Sequence, residues 1–481
     1  MRADYCSNGQ DVDLSPGFPR LCEIKRRYYY CLCAVPARHI AAISGERAVR
    51  RAPPAMSPPP LLLLPPLLLL LLLVLCARPA LLADFKVEVT SSYNIVTTSQ
   101  QCVPQHMPLV TSHRAAHPLL RLPPGDEVRL ACPGGRFLAY PHRAALAARC
   151  EAGRLRVRHD GALRHILHLG CQDDVFDDVL HQVEFCAPPL QGRAYRAREE
   201  RGVRHLAALC FDQDRGVASY ARTDNSPDGT LALPPHEESS APRSLLANFN
   251  QMFDSATRRT AERLYSDDAR LDRRMREILK HDRFSFAEQS LTSAPLLAPA
   301  YFEEQDVRVA EFASNRVAAW RSVAAGNLRH VQRDVARLLR AARPHRRLEV
   351  YAGTHGVLAL RTDDNRTEVY LEAGRFPVPR YVWTVVHEAN ARRALALVVL
   401  NDPFVSVSEV SEVGEAVFCE SVCGRVSWLQ ELRRHEHYEG AVYGLTFCCA
   451  VREAARMLPE LPAGALAAVP AGDAGLLTDL L

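Results

Sequence analysis

The strongest pattern along the chain is a leucine run. Leu61–Leu64 and Leu67–Leu75 form an apolar stretch broken by Pro65 and Pro66, and Cys76, Ala77, Arg78, Pro79 and Ala80 follow it. An apolar block succeeded by small residues and a break has the layout of an export signal, so residues 56–83 are read as a signal peptide cleaved near Ala83. The rival reading is a membrane anchor. A spanning helix needs about 20 apolar residues, and two prolines interrupt this shorter run. Met56 stands where such a signal begins. Residues 1–55 are therefore read as an upstream extension and set apart from the fold.

Past the signal, the apolar positions come in short runs. In residues 84–221 they alternate with turn signals such as Pro123-Pro124-Gly125 and Pro133-Gly134-Gly135, which predicts a β-rich module. Residues 222–244 carry Asn225, Pro227, Gly229, Pro234, Pro235, Ser239, Ser240 and Pro242, the composition of a linker. From about Leu245 the period lengthens. Leu264, Leu271, Met275 and Ile278 recur at helical spacing within the charged segment Thr257–Lys280. Leu328, Val331, Val335, Leu338 and Leu339 mark a second helix, ended by Pro344. Strand-like runs follow at Leu348–Ala352, Gly356–Leu360, Val369–Leu371, Tyr381–Val386 and Ala394–Leu400. Helices and strands without βαβ alternation predict an α+β domain over 245–455. Residues 456–481, rich in Ala, Gly, Pro and Leu, read as a flexible tail.

Charge narrows the partners. The formal net charge is +4 over 481 residues. Residues 1–55 hold nine Lys/Arg and five Asp/Glu, so the remainder carries 50 of each sign. A protein that grips nucleic acid mainly by charge has a basic excess, and here only local arginine clusters are available for that. Ten of the 15 cysteines lie beyond the signal. Their even number suits disulfides in an oxidising compartment. Six lie between Cys102 and Cys210, and four are Cys419, Cys423, Cys448 and Cys449. The second group could instead hold zinc, but adjacent Cys448 and Cys449 fit paired C-x-x-C knuckles poorly. Asn365-Arg366-Thr367 is an acceptor sequon that an exported chain could glycosylate at Asn365.

The segment from Val350 to Val386 reads VYAGTHGVLAL, then a turn, then VYLEAGRFPVPRYVWTVV. It is similar to the secreted DNA/RNA non-specific endonucleases of arthropods. Leu395–Pro403, Val417–Leu429 and Gly444–Val451 follow the same course, and upstream Trp320–Leu328 resembles the family's block of Gln-Trp, Phe-Asn and Gly-Asn-Trp. The likeness covers roughly 245–455. It implies a ββα-metal nuclease fold with a central, mostly antiparallel sheet and one Mg²⁺, and DNA or RNA as partner. After signal cleavage no membrane partner is implied.

In that family a histidine of an Arg-Gly-His motif takes a proton from water, an asparagine binds Mg²⁺, and a glutamate two helical turns later orients water. Without gaps, the Arg-Gly-His positions fall on Ser293, Ala294 and Pro295. The asparagine falls on Ala324 and the glutamate on Gln332. Proline has no basic nitrogen and alanine no oxygen, while a hard cation needs oxygen ligands. Glutamine hydrogen-bonds without bringing charge. Losing a general base alone removes about 10²–10⁴-fold in rate.

Candidate replacements are Glu303, Glu304, Asp306, Asn327 and His330, each with a plainer role as a solvated or packing residue. His355 on a strand, and His435 and His437 around Glu436, are weighed in the same way. Arg308, Arg316 and Arg321 stay near the site, and Arg329, Arg333 and Arg337, four apart, line one helix face that could dock a phosphate backbone. Three readings stand together: an exported pseudonuclease that binds nucleic acid without cutting, an active divergent Mg²⁺-dependent endonuclease, and a product without function.

Overall fold

The computed structural model describes residues 93–96, 106–112, 119–226, 228–234, 268–279, 289–343, 345–362, 365–405, 416–435, 438–462 and 464–479. The expected signal peptide, the upstream extension, Cys102, Glu436 and His437 lie outside the described residues. Among the described residues no helix is long and apolar enough to cross a membrane.

An antiparallel sheet of eight strands carries the molecule. Its strands are β1 (Phe176–Leu180), β2 (Gln191–Arg198), β3 (Val203–Asp212), β4 (Val217–Asp224), β7 (Glu349–Val357), β8 (Pro379–Glu388), β9 (Arg393–Leu400) and β10 (Thr446–Cys449). Their spatial order is β10-β9-β8-β7-β4-β3-β2-β1. A separate hairpin pairs β5 (Leu291–Pro295) with β6 (Arg316–Trp320). The helices are α1 (Asp268–Leu279), α2 (Arg321–Ala325), α3 (Asn327–Ala342), α4 (Gln430–Arg434) and α5 (Val451–Met457). Before all of these, a five-stranded antiparallel sheet runs from Leu109 to Arg164.

The mixed α and β character and the antiparallel sheet match the expected class. The strands at 349–357, 379–388 and 393–400 and the helix at 327–342 lie where the hydrophobic pattern put them.

The boundaries do not. The expected break between a cysteine-rich module ending at 221 and a linker from 222 falls inside β4, which runs to Asp224. β4 pairs directly with β7, Asp224 facing Glu349 and Tyr220 facing Gly353. The β1–β4 strands of the cysteine-rich stretch and the later strands therefore form one sheet. The first residues of the expected linker are packed as well. Asn225 is buried, donates to the carbonyls of Leu339 and Arg346, and accepts from the amide of Leu348 at 2.8 Å. A buried amide with every hydrogen-bonding group matched is a fixed joint, whatever its turn-like composition.

Both faces of the sheet are covered. β9 is buried along almost its whole length, so it lacks the alternation of a half-exposed strand. One face packs against the hairpin, α2, α3 and the N-terminal sheet. The other gathers Tyr220, Tyr351, Tyr381, Trp383, Val385 and Val398 under Leu458, Leu461, Leu466 and Val469. Leu458, Leu461, Leu466 and Val469, from the stretch 456–481 expected to be a flexible tail, supply that cover, and Leu476 bridges to Ala394. Their Leu and Val satisfy an apolar sheet face that would otherwise meet water. Gly353 lies where β7 passes closest to its neighbours, because a Cβ there would stand 2.4 Å from Trp383.

The described disulfides are Cys132–Cys171, Cys186–Cys210, Cys419–Cys449 and Cys423–Cys448. Adjacent Cys448 and Cys449 sit on one strand, so their side chains leave on opposite faces. Cys448 joins the core of one face and Cys449 that of the other. A single zinc ion cannot collect both, and the four C-terminal cysteines are spent as two bridges.

Candidate functional site

The β5–β6 hairpin runs directly into α2 and α3, and the expected site residues gather on this unit. Ser293 lies opposite Ala318, Ala294 opposite Val317 and Pro295 opposite Arg316. Trp320, fully buried, closes β6. Gly326 separates the two helices, and a Cβ there would stand 2.4 Å from the Ser322 carbonyl, so the junction is tight.

The long loop between β5 and β6 is pinned from several sides. Asn315 brackets Leu297, accepting from its amide and donating to its carbonyl, both at 2.9 Å. Ser314 donates to buried Asp178 at 2.7 Å and shares a hydrogen bond with Tyr195. Asp178 in turn accepts from Arg193, also fully buried. Arg204 grips Asp306 with both terminal guanidinium nitrogens, at 2.9 and 3.0 Å. Arg308 is buried over the ring of Phe176 and donates twice to the carbonyl of Met107; burial pulls its pKa down to about 10. Asp178, Tyr195, Arg204, Phe176 and Met107 all belong to the N-terminal stretch, which thereby clamps the hairpin.

Two of the expected positions meet. The Gln332 amide donates to the Pro295 carbonyl at 2.9 Å. Ala324 is half-buried against the core. Across the hairpin Arg316 is buried and paired with Glu311 at 2.6 Å. The three positions thus present a pyrrolidine ring, a methyl group and an amide already engaged. Mg²⁺ prefers a near-octahedral set of oxygens. These side chains do not fit it.

The candidate replacements have other work. Asn327 is buried and donates to the Gly444 carbonyl at 2.7 Å. Asp306 is buried under Arg204, and Glu303 pairs with Arg343. His355 faces Glu460 at 2.9 Å and lies stacked on Tyr381. The arginine stripe is partly neutralised. Arg337 contacts Asp334, Gln430 and Glu431, Arg333 reaches Glu431 at 4.0 Å, and Arg329 is exposed. Asn365 opens a short strand opposite Thr362.

On the other flank of α3 stands a cluster that the sequence did not assemble. Asp334 is fully buried, and its carboxylate accepts from the amides of Gln430, Glu431 and Leu432 at 2.9–3.1 Å. Burial pushes its carboxyl pKa up, against the pull of these amides and Arg337. It caps the start of α4 and fixes that helix against α3. Glu431, in the first turn of α4, and His435, the residue that ends it, both come up to His330 of α3. His330 and His435 stack with ring centroids 4.3 Å apart. One ligating atom from each of His330, Glu431 and His435 lies within 4.8 Å of the others. Burial holds the His330 pKa below the usual imidazole range, and His435 and Arg333 push the same way. The spacing of Glu431 and His435 was visible in the sequence; nothing placed His330 against them from a hundred residues away.

No family model matches the chain. Over 142 residues it is 25% identical to the salivary endonuclease of Lutzomyia longipalpis, an alignment that takes in 29% of this chain and 31% of that protein. The match therefore spans less than a third of the curated relative. Among solved structures, a crystal structure of the EndoG/EndoGI complex, described as showing the mechanism of EndoG inhibition, covers 41% of this chain and 71% of that chain. It does so at a TM-score of 0.25 and 12% identity. A likeness that slight decides nothing about fold or function. The sequence match is a distant similarity to a nuclease over part of the chain, and the disulfides are consistent with an exported protein.

Proposed function

We propose that the chain is an exported protein of nuclease ancestry whose hydrolytic corner has been emptied, leaving at most the binding of nucleic acid. In this reading β5, β6 and α3 correspond to the two strands and helix of a ββα-metal unit. The observation that carries the proposal is the contact between Gln332 and Pro295. A general base and a metal ligand are expected at that crossing. Proline, alanine and an engaged glutamine amide supply neither a base that titrates near neutrality nor an anionic oxygen for a hard cation. What its own residues do is hold shape: Gln332 ties α3 to the end of β5, and the loop behind is clamped by Asp178, Arg193 and Arg204.

Nucleic acid remains the proposed partner through Arg329, Arg333 and Arg337 on α3. Contacts to phosphate position a strand without cutting it. The balanced charge beyond residue 55 predicts weak, strongly salt-dependent binding.

The test incubates the purified full chain with plasmid and single-stranded RNA, in Mg²⁺ and in EDTA, and measures anisotropy of a labelled oligonucleotide over a salt series. Binding that weakens steeply with salt, with no Mg²⁺-dependent cleavage, is expected. Cleavage that requires Mg²⁺ would restore the reading of an active divergent endonuclease. Neither binding nor cleavage would leave only the inherited fold.

A further inference from the structure

We propose that His330, Glu431 and His435 form a binding site for a zinc-class transition-metal ion, distinct from the emptied corner and independent of the nuclease reading. Gln332, which faces Pro295, and His330 are two residues apart on α3. That is about 200° around a helix, so they leave on opposite flanks.

Three features carry the proposal. The first is the donor set. Two imidazoles and one carboxylate suit zinc, cobalt or nickel, whereas Mg²⁺ and Ca²⁺ take all-oxygen sets. Three protein ligands also leave a fourth position open for water or another donor.

The second is preorganisation. Asp334 anchors the first turn of α4 to α3 through three backbone amides, so Glu431 and His435 are delivered to His330 by a rigid joint. The donor atoms stand within 4.8 Å. Around zinc, with bonds of about 2.0–2.1 Å, they close to about 3.4 Å apart. His435 is exposed at the end of α4, so it is free to turn its ring out of the stack with His330 and supply that movement.

The third is an unmet need. The Nδ1 of His330 is sealed from solvent and has no hydrogen-bond partner among the described residues. A buried polar atom left alone is costly, and coordination of the ring by an ion, with reorientation, relieves it. The opposing influence is basic: Arg333 and Arg337 already face Glu431, at 4.0 and 3.6 Å, and an arriving cation must compete with them.

The experiment uses untagged full chain, stripped with a chelator and titrated calorimetrically with Zn²⁺. Co²⁺ serves as the spectroscopic probe of the ligand field. One Zn²⁺ per chain is expected, with millimolar Mg²⁺ failing to displace it and a visible Co²⁺ absorption appearing. His330→Ala, Glu431→Gln and His435→Ala should each weaken binding at least tenfold, with folding checked by thermal unfolding without metal. His168→Ala, far along the chain, serves as the control and should bind as the parent does. Arg333→Gln should tighten binding by freeing Glu431, and it keeps the question open to test if a ligand variant fails to fold. Absence of stoichiometric Zn²⁺, or binding that survives all three ligand substitutions, would overturn the proposal. Either result leaves the nucleic-acid tests untouched.

Discussion

The two flanks of α3 face opposite fates. On one side the Gln332 amide donates to the Pro295 carbonyl, and neither a proline ring nor an engaged amide offers a base or an anionic ligand. On the other, Asp334 fastens α4 so that Glu431 and His435 come up against His330. The flank where the resemblance leads one to look is chemically quiet. The flank with ligand chemistry depends on a helix of five residues that arrives from about a hundred positions later in the chain. Clamps and caps set the shape of both flanks, while a handful of exchangeable side chains set their chemistry.

The largest expected effect comes from attacking the clamp behind the quiet flank. Asp178→Ala leaves Arg193 buried without its carboxylate and Ser314 without its acceptor. Removing one partner of a buried pair costs about 3–5 kcal/mol. A large fall in the urea midpoint is expected. An unchanged midpoint would mean that the N-terminal strands do not hold the hairpin.

Next comes the joint of the other flank. Asp334→Ala strips three amides of their acceptor and should cost about 2–3 kcal/mol by thermal or urea unfolding. It should also weaken Zn²⁺ binding, since α4 loses its anchor. Asp334→Asn keeps one acceptor oxygen and should lose about half as much. Zinc affinity unmoved by Asp334→Ala would show that the cap does not preorganise the site.

The smallest effect is expected at the corner itself. Gln332→Leu removes a single hydrogen bond to the Pro295 carbonyl, worth about 1 kcal/mol. Cleavage assays and Zn²⁺ titrations should read as for the parent chain. A substitution here that changed either one would erase the contrast between the flanks.

Much of the fold was legible in the chain. The spacing of Leu328, Val331, Val335, Leu338 and Leu339 gave α3, and the β-branched runs gave the cores of β7, β8 and β9. Pro295, Ala324 and Gln332 were singled out by a resemblance in sequence, and Pro295 and Gln332 do touch. The errors were of another kind. Composition marked residues 222–244 as a linker and 456–481 as a tail, yet Asn225 is a buried joint and Leu458, Leu461 and Leu466 cover a sheet face. Turn-forming or small residues report local backbone freedom; they do not report what lies against them.

By itself the sequence determined the periodicity of its helices and strands and the balance of its charge. Those are properties of single residues and of short-range spacing, where side-chain direction follows from the backbone period. Only the tertiary structure decided that the N-terminal strands extend the main sheet, that Cys448 and Cys449 bridge on opposite faces, and that His330, Glu431 and His435 converge. Each of those depends on which distant surfaces bury one another, and burial is settled by the whole chain at once, since apolar area and buried polar groups must all find partners together.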